Sequence, residues 1–279
     1  MNLARKLIEM DRKSPKRILV VGDVMTDVYI YGRVEDTCQE GCPKFIEENR
    51  VSVPGGAANA AESLKHWRSK VMRGPLDLRV NLLSIKTRFM TGGRCILRHD
   101  RDQTIHEVDR RSIHAEALSY LHIASDAILL SDYDKGVLTP EFIMAVADIC
   151  RSKGKPCVAD CKRAPEVYAG CILKGNGHYW GSYPLNRNSI TTYGPLLPHD
   201  CHGPIGEPLP PVECVNHVGA GDCFAAHLTL AIVHGFTLKE AAAVAHSAGR
   251  VYVQHPHNRP PRPEEIAADM DLAAQPARC

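Results

Sequence analysis

With 34 Lys and Arg against 32 Asp and Glu, the 279-residue chain carries a formal charge of +2. That balance excludes the strong one-sign field of a nucleic-acid or membrane-surface binder and leaves small molecules as the expected partners. The length suits one large domain with a sizeable core, and no apolar run reaches the roughly 20 residues of a membrane span. Eleven cysteines occur without a CxxC spacing. The segments CQEGC (Cys38–Cys42) and CVADC (Cys157–Cys161) have the wrong spacing for common zinc or redox motifs, so reduced thiols in a cytoplasm are expected.

MNLARKLIEMDRKSPKR lacks the continuous apolar core of a signal peptide, and its first ten residues read as an amphipathic packing helix. RILVVGD (Arg17–Asp23) is a short β-branched run that ends on Gly-Asp. YIYGRV (29–34), KFIEENRVSV (44–53), TRFMTGGRCILRHD (87–100) and QTIHEV (103–108) read as short strands and hairpins, with Gly92-Gly93 at a turn. They predict a small sheet apart from the main one, able to act as a lid that excludes water. VPGGAANAAESLKHW places Gly55-Gly56 before a helix carrying Ala60, Leu64 and Trp67 on one face. The glycines permit close backbone approach to a ligand, and Asn59 offers donor and acceptor to a hydroxyl-rich molecule; a plain turn and helix start explains the same residues.

AILLSD (127–132) and PCVAD (156–160) repeat the strand-to-aspartate form. Between them TPEFIMAVADICRSKG predicts a helix capped by Thr139, with Pro140 in its first turn, Phe142, Val146, Ile149 and Cys150 on one face, and Gly154 beyond its end. A strand-helix-strand unit implies parallel pairing. Ligands bind beyond the carboxyl ends of such strands, which would gather Asp23, Asp132 and Asp160 at one edge, although each alone could equally cap a turn. His199, Cys201 and His202, with His255 and His257, offer metal-ligand types, but Pro-rich loops often carry solvated histidines.

VGAGDC (Val218–Cys223) precedes the apolar run FAAHLTLAIVHG. Its glycine turn would converge backbone amides at a helix start, where unpaired N–H groups and the dipole favour an anion. Asp222 beside them could accept the proton of an attacking hydroxyl, or could be an ordinary acid near a helix N-terminus. Gly235 closes this helix, and Thr237 with Glu240 has capping-box spacing for the next. NRPPRPEEI then connects to a short final helix, with a loose tail after Leu272. Neither GxGK[ST] nor GxGxxG occurs.

The ordered series GDVMTD, PGGAAN, SDYDKG, VADCK and VGAGD, over nearly the whole chain, resembles the ribokinase/PfkB carbohydrate kinase family. VVGDVMTDVYIYG with SDYDKGVL is most similar to its heptose 7-phosphate kinase branch. The resemblance implies one ribokinase-like domain over 1–279, a three-layer α/β/α sandwich with a mostly parallel central sheet and a small β-sheet lid at about 29–53 and 86–108. It implies ATP and Mg2+ as cofactors, a sugar or sugar-phosphate substrate and a homodimer through the lid. By position it makes Asp222 the catalytic base and Gly219, Ala220 and Gly221 an anion hole. Asp27, Gly55, Gly56 and Asn59 fall at sugar-contact positions. Lys86, Arg88, Arg98 and Lys135 could meet a substrate phosphate, and Asp160, Asn176, Thr192 and Gly194 fall on the nucleotide side.

Two segments depart from the family. In LKGNGHYW, Asn176 survives but Tyr179 stands at the Glu of Pro-Asn-x-x-Glu, and little room is left for a helix before Thr192-Tyr193-Gly194. WRSKVMRGPLDLRVNLL leaves little room for the usual strand and helix. A carboxylate missing beside a metal–nucleotide site removes electrostatic support, so a second reading stands open: a regulatory binder of sugar phosphate or nucleotide.

Overall fold

The computed structural model describes residues 2–73, 84–103, 105–177, 187–206 and 208–273. In chain order the described elements are α1 (Leu3–Lys13), β1 (Arg17–Gly22), β2 (Val24–Thr37), β3 (Pro43–Gly56), α2 (Ala57–Glu62), β4 (Lys70–Arg73), β5 (Ser84–Thr91), β6 (Arg94–Arg101), α3 (Glu107–Ile123), β7 (Ala127–Ser131), α4 (Pro140–Lys153), β8 (Cys157–Asp160), β9 (Ile172–Asn176), β10 (Ser189–Thr192), β11 (His199–Asp200), β12 (Gly203–Pro204), α5 (Ala220–Val233), α6 (Leu238–Val253) and α7 (Pro263–Ala273).

The period-2 alternation of β1 decides the layering. Ile18 and Val20 point into a core shared with α1, α2, α5, α6 and α7, while Leu19 and Val21 point into a second core under α3 and α4. A strand buried on both faces belongs at the centre of a parallel sheet. The main sheet runs β12-β11-β10-β9-β8-β7-β1-β4. Every neighbouring pair from β10 to β4 is parallel; the short β11 runs antiparallel to β10, and β12 antiparallel to β11. This is the expected α/β/α sandwich, and α4 has its expected ends: the Thr139 hydroxyl accepts from Phe142 N–H and Gly154 closes the helix at φ 62°.

The four-stranded second sheet, β3-β2-β5-β6, is the lid. It starts earlier than the sequence suggests and ends sooner, because β2 follows β1 after a single residue, Asp23. The described residues of QTIHEV (103–108) form no strand: α3 begins at Glu107, where Glu107 and Asp109 complement the N-terminal end of the helix dipole. The helix after Gly56 also stops sooner, at Glu62, yet Leu64 and Trp67 are still buried because the following turns carry them onto α5. Where WRSKVMR left little room for a strand, β4 forms and pairs with β1 from Arg17↔Lys70 to Val20↔Arg73. The segments 74–83 and 178–186, with Tyr179 and the place of the missing helix, and the tail from 274 lie outside the described residues.

One buried carboxylate fixes α1 to the loop that feeds β4. Asp11 accepts the backbone N–H of Arg68 (2.7 Å) and of Ser69 (3.0 Å) and the Ser69 hydroxyl, with His234 Nε2 3.4 Å away. Burial pushes the Asp11 carboxyl up, but hydrogen bonds from His234, Ser69 and the two amides outweigh it and hold the group below the ordinary carboxylate range. Its contribution is therefore present above the usual carboxylate pKa and is lost as pH falls through the depressed value. Asp11→Ala leaves two buried amides unpaired and should lower unfolding free energy by about 2–4 kcal/mol in urea titrations at neutral pH. The gap to the unsubstituted chain should narrow in acid.

Candidate active site

The glycine turn before α5 is shaped by what surrounds it. Gly219 is the N-cap at φ 84°, and a Cβ there would lie 2.3 Å from Asn59 Nδ2 and 2.5 Å from the Tyr252 hydroxyl oxygen. Only glycine meets both demands. Ala220, Gly221 and Asp222 follow as the first turn of α5, whose amides have no internal acceptor and whose dipole favours an anion.

Asp222 is buried at 2% exposure, where two donors hold it: Asn59 Nδ2 at 3.0 Å on Oδ2 and the Tyr133 hydroxyl at 2.6 Å on Oδ1. Burial, then the charge of Asp160, pushes its carboxyl up to about 7; the hydrogen bonds from Asn59 and Tyr133 and the charge of Lys174 pull it back. A carboxyl poised there can take and release a proton near neutral pH. Asn59 Nδ2 also donates to Gly219 O (3.2 Å), and the Tyr252 hydroxyl bridges Val218 O (3.0 Å) and Asn59 Oδ1 (3.4 Å). The side chain of Asn59 thus aims Asp222.

The three strand-end aspartates do gather at one edge, but they differ in use. Asp23 accepts the backbone N–H of Tyr133 (2.8 Å), Lys135 (3.1 Å) and Val137 (3.1 Å), so it organises the loop that delivers Tyr133. Asp132 is consumed by Asp134 N–H (2.8 Å), the Tyr168 hydroxyl (2.6 Å) and Arg163 Nε (3.0 Å). Asp160 differs: Oδ1 accepts from Lys174 Nζ at 2.9 Å, while the buried Oδ2 has no hydrogen-bond partner among the described residues. Lys174, buried to 2% exposure on β9, reaches the glycine turn as well, since a Cβ on Gly221 would stand 2.9 Å from its Nζ. A fixed ammonium therefore lies between Asp160 and the amides at the start of α5.

Of the residues expected at a nucleotide, Asn176 and Thr192 are paired neighbours at the ends of β9 and β10, and Thr192 Oγ1 donates to Gly175 O (3.2 Å). Gly194 follows in a turn at φ 63°. Asp160, Asn176 and Thr192 thus end neighbouring parallel strands on the edge that holds Asp222.

The lid contributes a ladder of charges. Asp27 and Arg88 form a buried pair at 2.6 Å, with Asn258 Nδ2 3.4 Å from the other oxygen of Asp27. Gly55 packs so closely on Asp27 that a Cβ would be 2.6 Å from Oδ2, and Gly56, at φ 56°, would meet Asp23 O at 2.3 Å. Farther along, Lys86 (3.2 Å) and Arg98 (2.8 and 2.7 Å) converge on Asp100, and Lys135 reaches Asp102 at 2.5 Å. The fork from Arg98 holds the Asp100 carboxyl down at about 2. Each cation expected at a substrate phosphate is thus paired with a carboxylate.

One residue not anticipated, Asn258, completes the wall. Asn258, in the left-handed region at φ 55°, accepts from Asn216 Nδ2 (3.1 Å) and the Tyr29 hydroxyl (3.3 Å) and donates to Pro54 O (3.0 Å). His257 bonds the Tyr31 hydroxyl (2.7 Å) and His199 packs on Tyr193 with ring centroids 4.9 Å apart. Among the described residues no three of His, Cys, Asp and Glu converge as a metal centre, and no helix is long and apolar enough to cross a membrane.

This architecture is the ribokinase-like fold. It superposes on phosphofructokinase-2 from Escherichia coli with a TM-score of 0.68 at 14% identity, covering 94% of this chain and 99% of that one. The ribokinase of Arabidopsis thaliana complexed with ribose and ATP superposes at 0.60 and 14% identity, covering 94% of this chain and all (100%) of that one. The pfkB family carbohydrate kinase profile matches residues 204–265, which contain the glycine turn and Asp222. In sequence the chain is 28% identical to the bifunctional protein HldE of Caulobacter vibrioides over 85% of its own length and 60% of that protein. It is 28% identical to HldE of Hyphomonas neptunium over 96% and 66%. The chain is thus similar to the PfkB carbohydrate kinases over residues 204–265, and it spans roughly three-fifths to two-thirds of the length of these HldE proteins.

The crowding at Gly219 yields a direct check. Gly219→Ala forces a side chain against Asn59 and Tyr252 in a backbone conformation that alanine resists, and should reduce stability by about 2–3 kcal/mol in denaturant titration. Gly235→Ala, with a similar φ of 86° but nothing within 4 Å of the added Cβ, should cost clearly less.

Proposed function

We propose that this chain transfers the terminal phosphoryl group of ATP to a hydroxyl of a sugar or sugar phosphate, with Asp222 as the base. The observation that carries this reading is the carboxyl of Asp222, poised at about 7 and locked by Asn59 and Tyr133 in the first turn of α5. A sugar beneath the lid presents its hydroxyl to Asp222, which takes the proton as the new O–P bond forms and the bond to the bridging oxygen of ADP breaks. The amides of Gly219 to Asp222 and the Lys174 ammonium offset charge on the phosphoryl oxygens. The buried Oδ2 of Asp160, without a partner among the described residues, would help to hold a Mg2+ ion at this edge. Such an ion would neutralise phosphate charge.

The same-fold ribokinase complexed with ribose and ATP supports the nucleotide. Within sugar phosphates, a heptose 7-phosphate is the substrate favoured by the motif resemblance and by the HldE relatives. Lys86, Arg88 and Arg98 are the donors that would meet its phosphate, exchanging carboxylate partners for it. Two copies meet through the lid in this reading, since Ile96 (48%) and Leu97 (56%) stand exposed on its edge strand β6.

ADP formation should be assayed against a panel of sugars and sugar phosphates. Asp222→Asn should lower kcat by about 10²- to 10⁴-fold, and unchanged turnover would remove Asp222 from this role. Ligand-induced thermal stabilisation with no turnover on any sugar would favour the regulatory-binder reading instead. The kcat/KM of the unsubstituted chain should fall with decreasing pH below about 7, as Asp222 takes up its proton. Tyr133→Phe removes a hydrogen bond that favours the carboxylate, so the inflection should move to higher pH, with most activity recovered in alkali.

A further inference from the structure

We infer that Cys38 and Cys42, at the tip of the lid hairpin, form a reversible dithiol–disulfide site that reacts with small-molecule disulfides. The pair flanks a three-residue loop. Cys38 N–H donates to Cys42 O (2.9 Å), Gly41 N–H donates to Cys38 O (2.9 Å), and Gly41 lies in the left-handed region at φ 79°. This is the pattern of a hairpin loop closed by a glycine bulge, which holds its flanking residues side by side. Hydrogen-bonded cross-strand residues have Cα atoms about 5.5 Å apart, inside the roughly 4.4–6.8 Å that a disulfide spans.

The sulfur atoms discriminate further, because their Sγ–Sγ separation is 3.0 Å. Simple contact would keep them no closer than the ~3.5–4 Å of neighbouring carbons. Two thiolates sharing a tetrahedral zinc ion at about 2.3 Å would stand about 3.8 Å apart. The separation is that of a thiol–thiol hydrogen bond, from which a covalent bond of about 2.05 Å is reached by a shift of only about 1 Å.

Access separates this pair from the other close thiols. Cys42 is exposed and Cys38 half-buried, beside an open concavity lined by Val34, Glu35, Thr37, Glu40 and Lys44. Cys157 and Cys171 also bring their Sγ atoms within 3.2 Å, but both are buried in the core under α4. The molecule thus contains its own control: similar proximity, without access. In the reaction, the Cys42 thiolate attacks a disulfide RSSR, forming a mixed disulfide and releasing RS⁻. The Cys38 thiolate then attacks Cys42 Sγ and expels the second RS⁻. The two thiolates released take up the two protons lost by the cysteines, so one protein disulfide forms as one RSSR is reduced to two RSH. The new bond ties β2 to β3 at the far end of the hairpin whose near end carries Asp27 and Gly55. This site stands on the hairpin geometry and does not depend on the kinase reading.

The reduced full-length chain should be incubated with glutathione disulfide at mildly alkaline pH and followed by intact and peptide mass spectrometry. The peptide containing Cys38 and Cys42 should lose about 2 mass units and recover them with dithiothreitol. Cys38→Ser should stop at a glutathione adduct on Cys42, a gain of about 305 mass units, and Cys42→Ser should not show the loss either. The assignment is overturned if stable separate adducts accumulate on both lid cysteines, if the disulfide maps to Cys157–Cys171 instead, or if the lid pair does not react.

Discussion

A carboxylate out of water is unstable unless its surroundings hold it, and the surroundings of Asp222 come from every part of the chain. Asn59 arrives from α2, Tyr133 from the loop after β7, Asp160 from the end of β8, Lys174 from the middle of β9, and the supporting Tyr252 from α6. These groups do opposing work. Burial and Asp160 favour the protonated acid, while the two hydrogen bonds and the ammonium favour the anion. The outcome is a group near its midpoint at neutral pH, which either influence alone would not produce.

A parallel sheet makes that convergence possible. Strand ends at one edge put side chains from remote positions within a few ångströms, and Asp23 and Asp132 turn two of those ends into scaffolding. By gathering three amides, Asp23 fixes the course of residues 133–137 and with it the hydroxyl that touches Asp222. Asp23 also marks the passage from main sheet to lid, so the floor of the site and its cover share one continuous stretch of chain.

Features governed by local rules were legible in the sequence. The strands ending in aspartate, the capped helix α4, the capping box of α6 and the glycine turn before α5 all follow from period, cap residues and chain chirality. Helix α3 was not, because Val108 and Ile123 are exposed and only Ala117 and Leu121 of its residues are fully buried, so it lacks a clear apolar stripe. The partners within the site were hidden for another reason: Tyr133 and Asp222 are 89 residues apart, and Asn258 and Asp27 are 231 apart. Lys174 did leave a trace, a lysine inside the apolar strand CILKGN, where an inward-facing charge needs a buried partner.

The close fit at Gly219 also bears on how this site can change over evolutionary time. A side chain at that position needs two other residues to shrink at once, Asn59 on α2 and Tyr252 on α6, and the first of these also holds Asp222. The turn is therefore coupled to both helices, so that a change at Gly219 is tolerated only together with changes at Asn59 and Tyr252.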